Sequence, residues 1–210
     1  MTDSVVLEKI RTHARRAERR IVLPEADDDR ILQAAAVIAA AGYAEIVLLG
    51  NPGPIQGRAR DLGVGLHGIE IIDHLNDPRR GDYVQALFEK RRDRGLTKQA
   101  ADEMLARPVY YGGMLVGDGR ADGMVAGSLC PTGDTIRSAI FGVGLAEGNR
   151  TVSSCSVMQT VLPEMGVDGT LVFADTGVLP RPSVEQLAEI AIAAAQSCRS
   201  LLEAEPVVAM

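Results

Sequence analysis

The residues best placed to do chemistry lie in one stretch near the middle of the chain. Gly119-Arg-Ala-Asp-Gly-Met-Val-Ala-Gly127 is followed by Ser128-Leu-Cys130-Pro-Thr132-Gly133-Asp134-Thr135-Ile-Arg137. Met124 to Ala126 reads as a short apolar strand ending at Gly127. A loop then leads into a helix that opens near Thr132 or Asp134, both good N-caps. Free backbone N–H groups at a helix mouth, flanked by small residues that let a ligand approach, suit an anion. Arg137 falls about one turn into that helix, where a guanidinium clamps phosphate or carboxylate. The same joint also occurs as a plain strand–loop–helix connection with a surface arginine, because such joints recur in every α/β domain.

Bulk composition narrows the partners. The chain has 210 residues, 46% hydrophobic and 24% charged, with a net charge of −6. This is a globular composition with ample core material. The negative balance argues against nucleic-acid binding through bulk charge while leaving room for a local basic pocket. With aromatics at 3% and no Trp, there is no stacking platform for bases. No apolar run is long enough to cross a bilayer, and the N-terminus lacks a signal-peptide core. Cys130, Cys155 and Cys198 are odd in number and widely spaced. They read as reduced thiols of a cytoplasmic protein without metal-ligand spacing. His13, His67 and His74 form no metal motif and read as surface residues.

The elements that position the central stretch alternate. Ser4 to Arg20 predicts an amphipathic helix whose Arg15, Arg16, Arg19 and Arg20 form a solvated basic face. Arg20 to Glu25 is a buried strand stopped by Pro24. Asp27, Asp28 and Asp29 supply a helix N-cap and first-turn charge rather than a metal cluster. Ile31 to Ala41 is so apolar that it predicts a helix packed on more than one side, ended by Gly42. Glu45 to Leu49 is the second strand, Gly50 to Gly53 a turn, Ile55 to Leu62 a short helix and Ile69 to Ile72 a third strand. A helical stretch runs from Asp77-Pro78 to Arg94 and stops at Gly95; Thr97 caps the next, to about Ala106. Pro108 to Gly117 reads as a helix on the spacing of Val109, Gly113 and Val116. Such alternation argues for a three-layer α/β/α fold around a mainly parallel sheet, with ligands at the carboxyl ends of the strands.

After Asn149 the pattern changes. Thr151 to Met158 and Thr170 to Ala174 read as strands of a possible hairpin around the turn at Gly166 to Gly169. Asp175-Thr-Gly177 sits at the second strand's end. Pro182 or Ser183 opens the helix with the strongest periodicity, Val184 to Leu202, with Glu185 and Gln186 in its first turn. Val207 to Met210 reads as the beginning of a strand. Its stop after four residues leads us to expect a truncated chain.

Several motifs occur together and in order: Leu23-Pro24-Glu25 with Asp28-x-Arg30, Arg91-x-x-x-Gly95-Leu-Thr97, Ala121-Asp-Gly123-x-Val-x-Gly127, Gly133-Asp-Thr135-x-Arg137, Phe173-Ala-Asp-x-Gly177, Ser183 to Ile190, and Glu205-Pro-x-Val-Ala-Met210. In this the sequence resembles the phosphate acetyltransferases along its whole length. The same domain appears in phosphate butyryltransferases and at the C-terminus of one type of malic enzyme. The resemblance implies reversible transfer of an acetyl group between CoA and inorganic phosphate by direct attack in a ternary complex. CoA or acetyl-CoA and phosphate are then the partners, as substrates, with no bound cofactor and no metal. It implies two α/β domains: residues 1–147 form the first, lacking a C-terminal return segment, and 148–210 a partial second, with a homodimer when full length.

By the same resemblance the substrate-binding residues are Arg91, Arg137, Thr132, Gly133, Thr135, Gly127 and Ser128. Arg binds the phosphates of CoA and inorganic phosphate bidentately. Arg91 also reads simply as part of a charged helix end, Arg91 to Arg94. The sequence departs from the family pattern at Ala126, often Ser, and at Cys130-Pro131, often His or a hydroxyl residue. Cys130 reads as a buried inert thiol. The family's proton-accepting carboxylate and a Ser-Arg pair are expected beyond Met210, so no catalytic residue is assigned within the chain, and little transfer activity is expected of it alone. A non-catalytic acyl-CoA- or phosphate-binding regulatory domain, a phosphate butyryltransferase, and a dimerisation module using the Ala-rich faces of 31–41 and 183–202 are the other readings.

Overall fold

The computed structural model of the protein describes residues 5–210. Ala14–Gly144 forms one compact unit, and Leu145–Met210 forms another together with the start of the chain up to His13. The first helix, α1 (Val5–Ala17), straddles that division. Its expected start at Ser4 lies outside the described residues. The basic run keeps its expected exposed face at Arg15, Arg16 and Arg19, while Arg15 also donates to the Ala41 carbonyl at 3.2 Å and lies over the Tyr43 ring. Arg19 pairs with Asp122 at 2.6 Å, and Arg20 pairs with Glu70.

The larger unit then runs β1 (Arg20–Leu23), α2 (Asp29–Ala40), β2 (Glu45–Leu49), α3 (Pro52–Asp61), β3 (Glu70–Ile72), α4 (Arg80–Arg91), a 3-10 turn (Arg92–Arg94), α5 (Lys98–Leu105), α6 (Pro108–Gly117), β4 (Gly123–Met124) and α7 (Thr132–Gly142). The four strands are parallel, in the order β3-β2-β1-β4, with Ile21 opposite both Ile46 and Gly123. Side chains alternate across a strand, so the sheet has two apolar faces. Val22, Val47 and Leu49 pack with Tyr83, Leu87, Leu105 and Tyr111 of the α4–α6 layer. Leu23, Ile46 and Leu48 pack with Leu32, Ala35 and Ile55 of α2 and α3. The α/β/α layering expected from the alternation is therefore present.

Local chemistry sets most boundaries. Asp28 caps α2 through the Arg30 N–H at 2.9 Å, and Thr97 caps α5 through the Ala100 N–H at 3.1 Å. The expected turn at Gly50 to Gly53 is instead the start of α3. Asn51 accepts the Gly53 N–H, and Pro52 takes the first helical position, where its missing N–H costs nothing. α2 buries only Leu32 and Ala35, and Val37 is 66% exposed. This corrects the expectation of a helix packed on several sides: α2 packs chiefly on β2 and its neighbour α3, and its outer face stays open. The strand expected at Met124 to Ala126 is shifted to Gly123–Met124, although the Val125 N–H still bonds the Val22 carbonyl at 3.0 Å.

One helix crossing fixes the rest of the unit. α6 and α7 touch backbone to backbone through Gly113, Gly117 and Gly142. A Cβ added at Gly113 would lie 2.6 Å from the Ser138 carbonyl oxygen, and one at Gly142 would overlap the Gly113 carbonyl. This spacing sets the α6 residue one turn before Gly113, Tyr110, beside the first turn of α7.

In the smaller unit β5 (Cys155–Gln159) and β6 (Thr170–Ala174) form the expected antiparallel hairpin, Cys155 opposite Ala174. β5 begins later than the expected Thr151, because Ser154 is held by Asp175 instead of by a strand neighbour. α8 (Val184–Leu202) packs against β6 and opens on a capping box in which Ser183 and Gln186 exchange hydrogen bonds. Val207–Met210 is not a strand: no described residue offers it a ladder partner, and a strand needs one.

Candidate anion-binding site

The strand order reverses between β1 and β4, and ligands of doubly wound sheets sit in the crevice outside the strand ends at such a point. Here the chain fills that crevice itself. Glu25, just after β1, accepts the N–H groups of Gly127 at 2.7 Å, Ser128 at 2.9 Å, Leu129 at 2.7 Å and Cys130 at 2.6 Å. Burial pushes the Glu25 carboxyl up, but the four N–H donors outweigh it and hold the group below its ordinary 4.5. The loop N–H groups from Gly127 to Cys130 are thus already satisfied. Arg30, bonded to Asp28 at 2.6 Å, reaches the Ser128 carbonyl at 3.4 Å.

The loop after β6 in the smaller unit is built the same way. Asp175 accepts from Ser154, Gly177, Val178 and Leu179, and its carboxyl lies well below the usual range although burial opposes this.

The mouth of α7 differs from the expected capped start. Pro131 occupies the cap position with no side-chain cap, and the N–H groups of Thr132 and Gly133 have no partner among the described residues. Neither Thr132 nor Asp134 caps the helix. Asp134 instead accepts from Arg107 at 2.6 Å, from the Tyr110 hydroxyl at 2.8 Å and from Arg137 at 2.9 Å. Two charged donors and a phenol form stronger bonds than a lone backbone N–H. Arg107 first, then Tyr110, holds the Asp134 carboxyl below its ordinary range. The Asp134 side chain is 17% exposed, whereas those of Arg107 and Arg137 are 49% and 54% exposed.

Arg91, at the end of α4, lies over the Phe141 ring at 4.2 Å, a cation–π contact. Phe141 stands four residues after Arg137, hence one turn further on the same face of α7. The Tyr110 and Phe141 rings are 6.5 Å apart, and Arg107 lies over the Tyr110 ring at 5.0 Å. Burial and the nearby Arg94 charge both push the Arg91 guanidinium down, and among the described residues no carboxylate pairs with it. The structure therefore brings Arg91 and Arg137 to one face of α7. It adds Arg107, Tyr110, Asp134 and Phe141, which the sequence reading did not assign. The three-residue step from Asp134 to Arg137 and the four-residue step to Phe141 were the available signals.

Thr135 donates to the Cys130 sulfur at 3.8 Å, and Cys130 is half-buried rather than buried. His74 is not a surface residue. It is 6% exposed, its Nε2 lies 3.0 Å from the Ala106 carbonyl, and burial pushes its pKa down. Among the described residues no cluster of His, Cys, Asp or Glu could hold a metal, and no helix is long and apolar enough to cross a membrane.

Residues 5–210 match the family model described as phosphate acetyl/butaryl transferase. The chain belongs to that family. The phosphate acetyltransferase of Acetivibrio thermocellus is 43% identical over 204 residues, covering 97% of this chain and 61% of the relative. That of Thermoanaerobacterium thermosaccharolyticum is 37% identical over 205 residues, covering 98% and 62%. Among solved structures, a phosphotransacetylase from Streptococcus pyogenes superposes with a TM-score of 0.83 at 28% identity, over 96% of this chain and 60% of that one. The EutD phosphotransacetylase from Staphylococcus aureus gives 0.77 at 31%, over 93% and 57%. The chain thus spans about three fifths of the length of these family members. Leu23-Pro24-Glu25 and the loop from Gly127, two of the motifs carrying the resemblance, meet in the Glu25 cradle.

Proposed function

We propose that this protein takes part in the reaction acetyl-CoA + phosphate = CoA + acetyl phosphate, and that the face of α7 bearing Arg91 and Arg137 recognises phosphate groups of the substrates. The observation that carries this reading is an excess of cation. Arg107 and Arg137 share one carboxylate, Asp134, and Arg91, over Phe141, adds a third guanidinium, in a chain that is acidic overall. Guanidinium groups half open to solvent and held by aromatic rings keep N–H edges for a phosphate. The unpartnered N–H groups of Thr132 and Gly133 add donors at the positive end of α7.

In the reaction a phosphate oxygen attacks the thioester carbonyl, a C–O bond forms, and the C–S bond breaks to release CoA. Cations that hold both anionic reactants lower the cost of bringing them together. Support for the reaction comes from the family. Support for the site comes from the residues.

The test is a calorimetric titration with CoA. Arg137→Gln and Arg91→Gln are each expected to weaken CoA binding roughly ten- to hundredfold, the range for losing a charge-assisted bond. A steep loss of affinity with added salt should flatten in both variants. Unchanged CoA affinity in both folded variants removes this site from the reading.

A further inference from the structure

We infer that Arg107 is a third guanidinium of this site, and that Asp134 is the positioning residue that sets Arg107 and Arg137 at a fixed spacing to grip one phosphate dianion. The inference rests on the phosphate-binding reading above. The family resemblance assigned Arg137 and Arg91; it assigned no role to Arg107 or Asp134.

The contacts of Asp134 carry it. Asp134 gives one oxygen to each arginine, Oδ2 to Arg107 at 2.6 Å and Oδ1 to Arg137 at 2.9 Å. The two contacts and the width of a carboxylate keep the bonded nitrogens within about 8 Å of each other. A tetrahedral anion with oxygens roughly 2.5 Å apart bridges that gap at ordinary hydrogen-bond lengths. The brace is itself fixed: the Tyr110 hydroxyl, on a side chain 2% exposed, donates to Asp134 at 2.8 Å, and Arg137 reaches that hydroxyl at 3.4 Å.

The exposure runs in the direction a binding site needs. The carboxylate is covered while both guanidiniums are half open. The glycine crossing already fastens α6 to α7 without this network. One carboxylate against two arginines leaves a positive charge uncompensated, and Arg91 adds another beyond Phe141. Arg107 also stacks on Tyr110, which limits its rotamers before any ligand arrives. Less entropy is then lost on binding.

A phosphate dianion reaches the site from two sources, the 3′-monoester of CoA or inorganic phosphate. Three titrations separate them: CoA, 3′-dephospho-CoA and inorganic phosphate, each against the parent chain, Arg107→Gln, Arg137→Gln, Asp134→Asn and the Asp134→Asn/Arg137→Gln double variant. Circular dichroism and the melting midpoint establish that each variant is folded. Arg107→Gln is expected to weaken one of the dianionic ligands roughly tenfold or more, as for a lost charge-assisted bond. Loss for CoA but not for dephospho-CoA identifies the monoester; loss for inorganic phosphate identifies the attacking anion. Asp134→Asn should weaken the same ligand, and adding Arg137→Gln should then cost less than it does in the parent chain. Asp134→Glu should restore part of the affinity.

If Arg137→Gln weakens binding while Arg107→Gln leaves all three affinities within twofold, the inference about Arg107 is overturned and the wider reading stands. If the Asp134→Asn and Arg137→Gln effects simply multiply, Asp134 is not the brace. If neither arginine variant changes any affinity, or the parent chain binds none of the three, the phosphate-binding reading falls and takes this inference with it.

Discussion

Replacing Glu25 with Gln is expected to destabilise the larger unit by about 3–5 kcal/mol at neutral pH, since a hydrogen bond to a charged group contributes ~1.5–3 kcal/mol. The carboxylate accepts four backbone N–H groups with two oxygens. An amide of the same shape keeps one oxygen and turns an NH2 toward the other two donors. Two bonds are lost, and donors face donors in a site where Glu25 is 8% exposed. Urea unfolding followed by circular dichroism measures the loss. Hydrogen exchange locates it: the amides of Gly127 to Cys130 should lose protection before the strands of the sheet do. Retained stability and retained protection at those four amides would contradict the structural role given to Glu25.

The same group fixes the sign of an acid dependence. Its folded carboxyl titrates below the ordinary 4.5 of the unfolded chain, because the N–H donors favour the charged form more than burial disfavours it. The stability it contributes is therefore fully present above the unfolded value and is lost as pH falls through the folded one. Glu25→Gln should be less sensitive to acid than the parent across that interval. Asp175, lowered in the same direction in the smaller unit, leaves a residual acid dependence that Glu25→Gln does not remove.

Gly142→Ala should cost the protein roughly 2–4 kcal/mol, at or above the usual range for overpacking. Alanine is ordinarily the better helix residue by about 1 kcal/mol. Here the added methyl would occupy the space of the Gly113 carbonyl, and the obstacle is backbone, which has no rotamer to change. α6 and α7 must separate or tilt. Tyr110 would then draw away from Asp134, so ligand affinity should fall together with the melting midpoint. Gly133→Ala is the contrast: nothing lies within 4 Å of its added Cβ, so stability should barely move. Equal melting midpoints for Gly142→Ala and Gly133→Ala would show that the helices do not meet as described.

Much of the scaffold was legible because it is local. Thr97 three residues before Ala100, and Ser183 three before Gln186, announce helix starts through spacing alone. The helix at Pro108 to Gly117 followed from periodicity. Errors arose where neighbours decided. The Ala-rich run of α2 looked like a helix packed on several sides, but the side facing solvent is set by how many layers surround it. Val207 to Met210 has strand composition, yet a strand exists only with a partner. His74 looked like a surface residue because nothing near it in sequence reveals that Ala106 and Tyr111 enclose it.

The sequence by itself determined the alternation of strand and helix, the parallel sheet that follows from it, and a family whose motifs name Arg91 and Arg137. Only the tertiary structure decided what the glycine loop and the first turn of α7 bond to. Glu25 meets Gly127 from 102 residues away, and Arg107 meets Asp134 from 27 residues away. Periodicity reports on one or two helical turns, so it carries no record of such pairs. The carboxylate that fills the loop, and the one that braces two arginines, become visible only once the sheet order and the glycine crossing bring distant segments together.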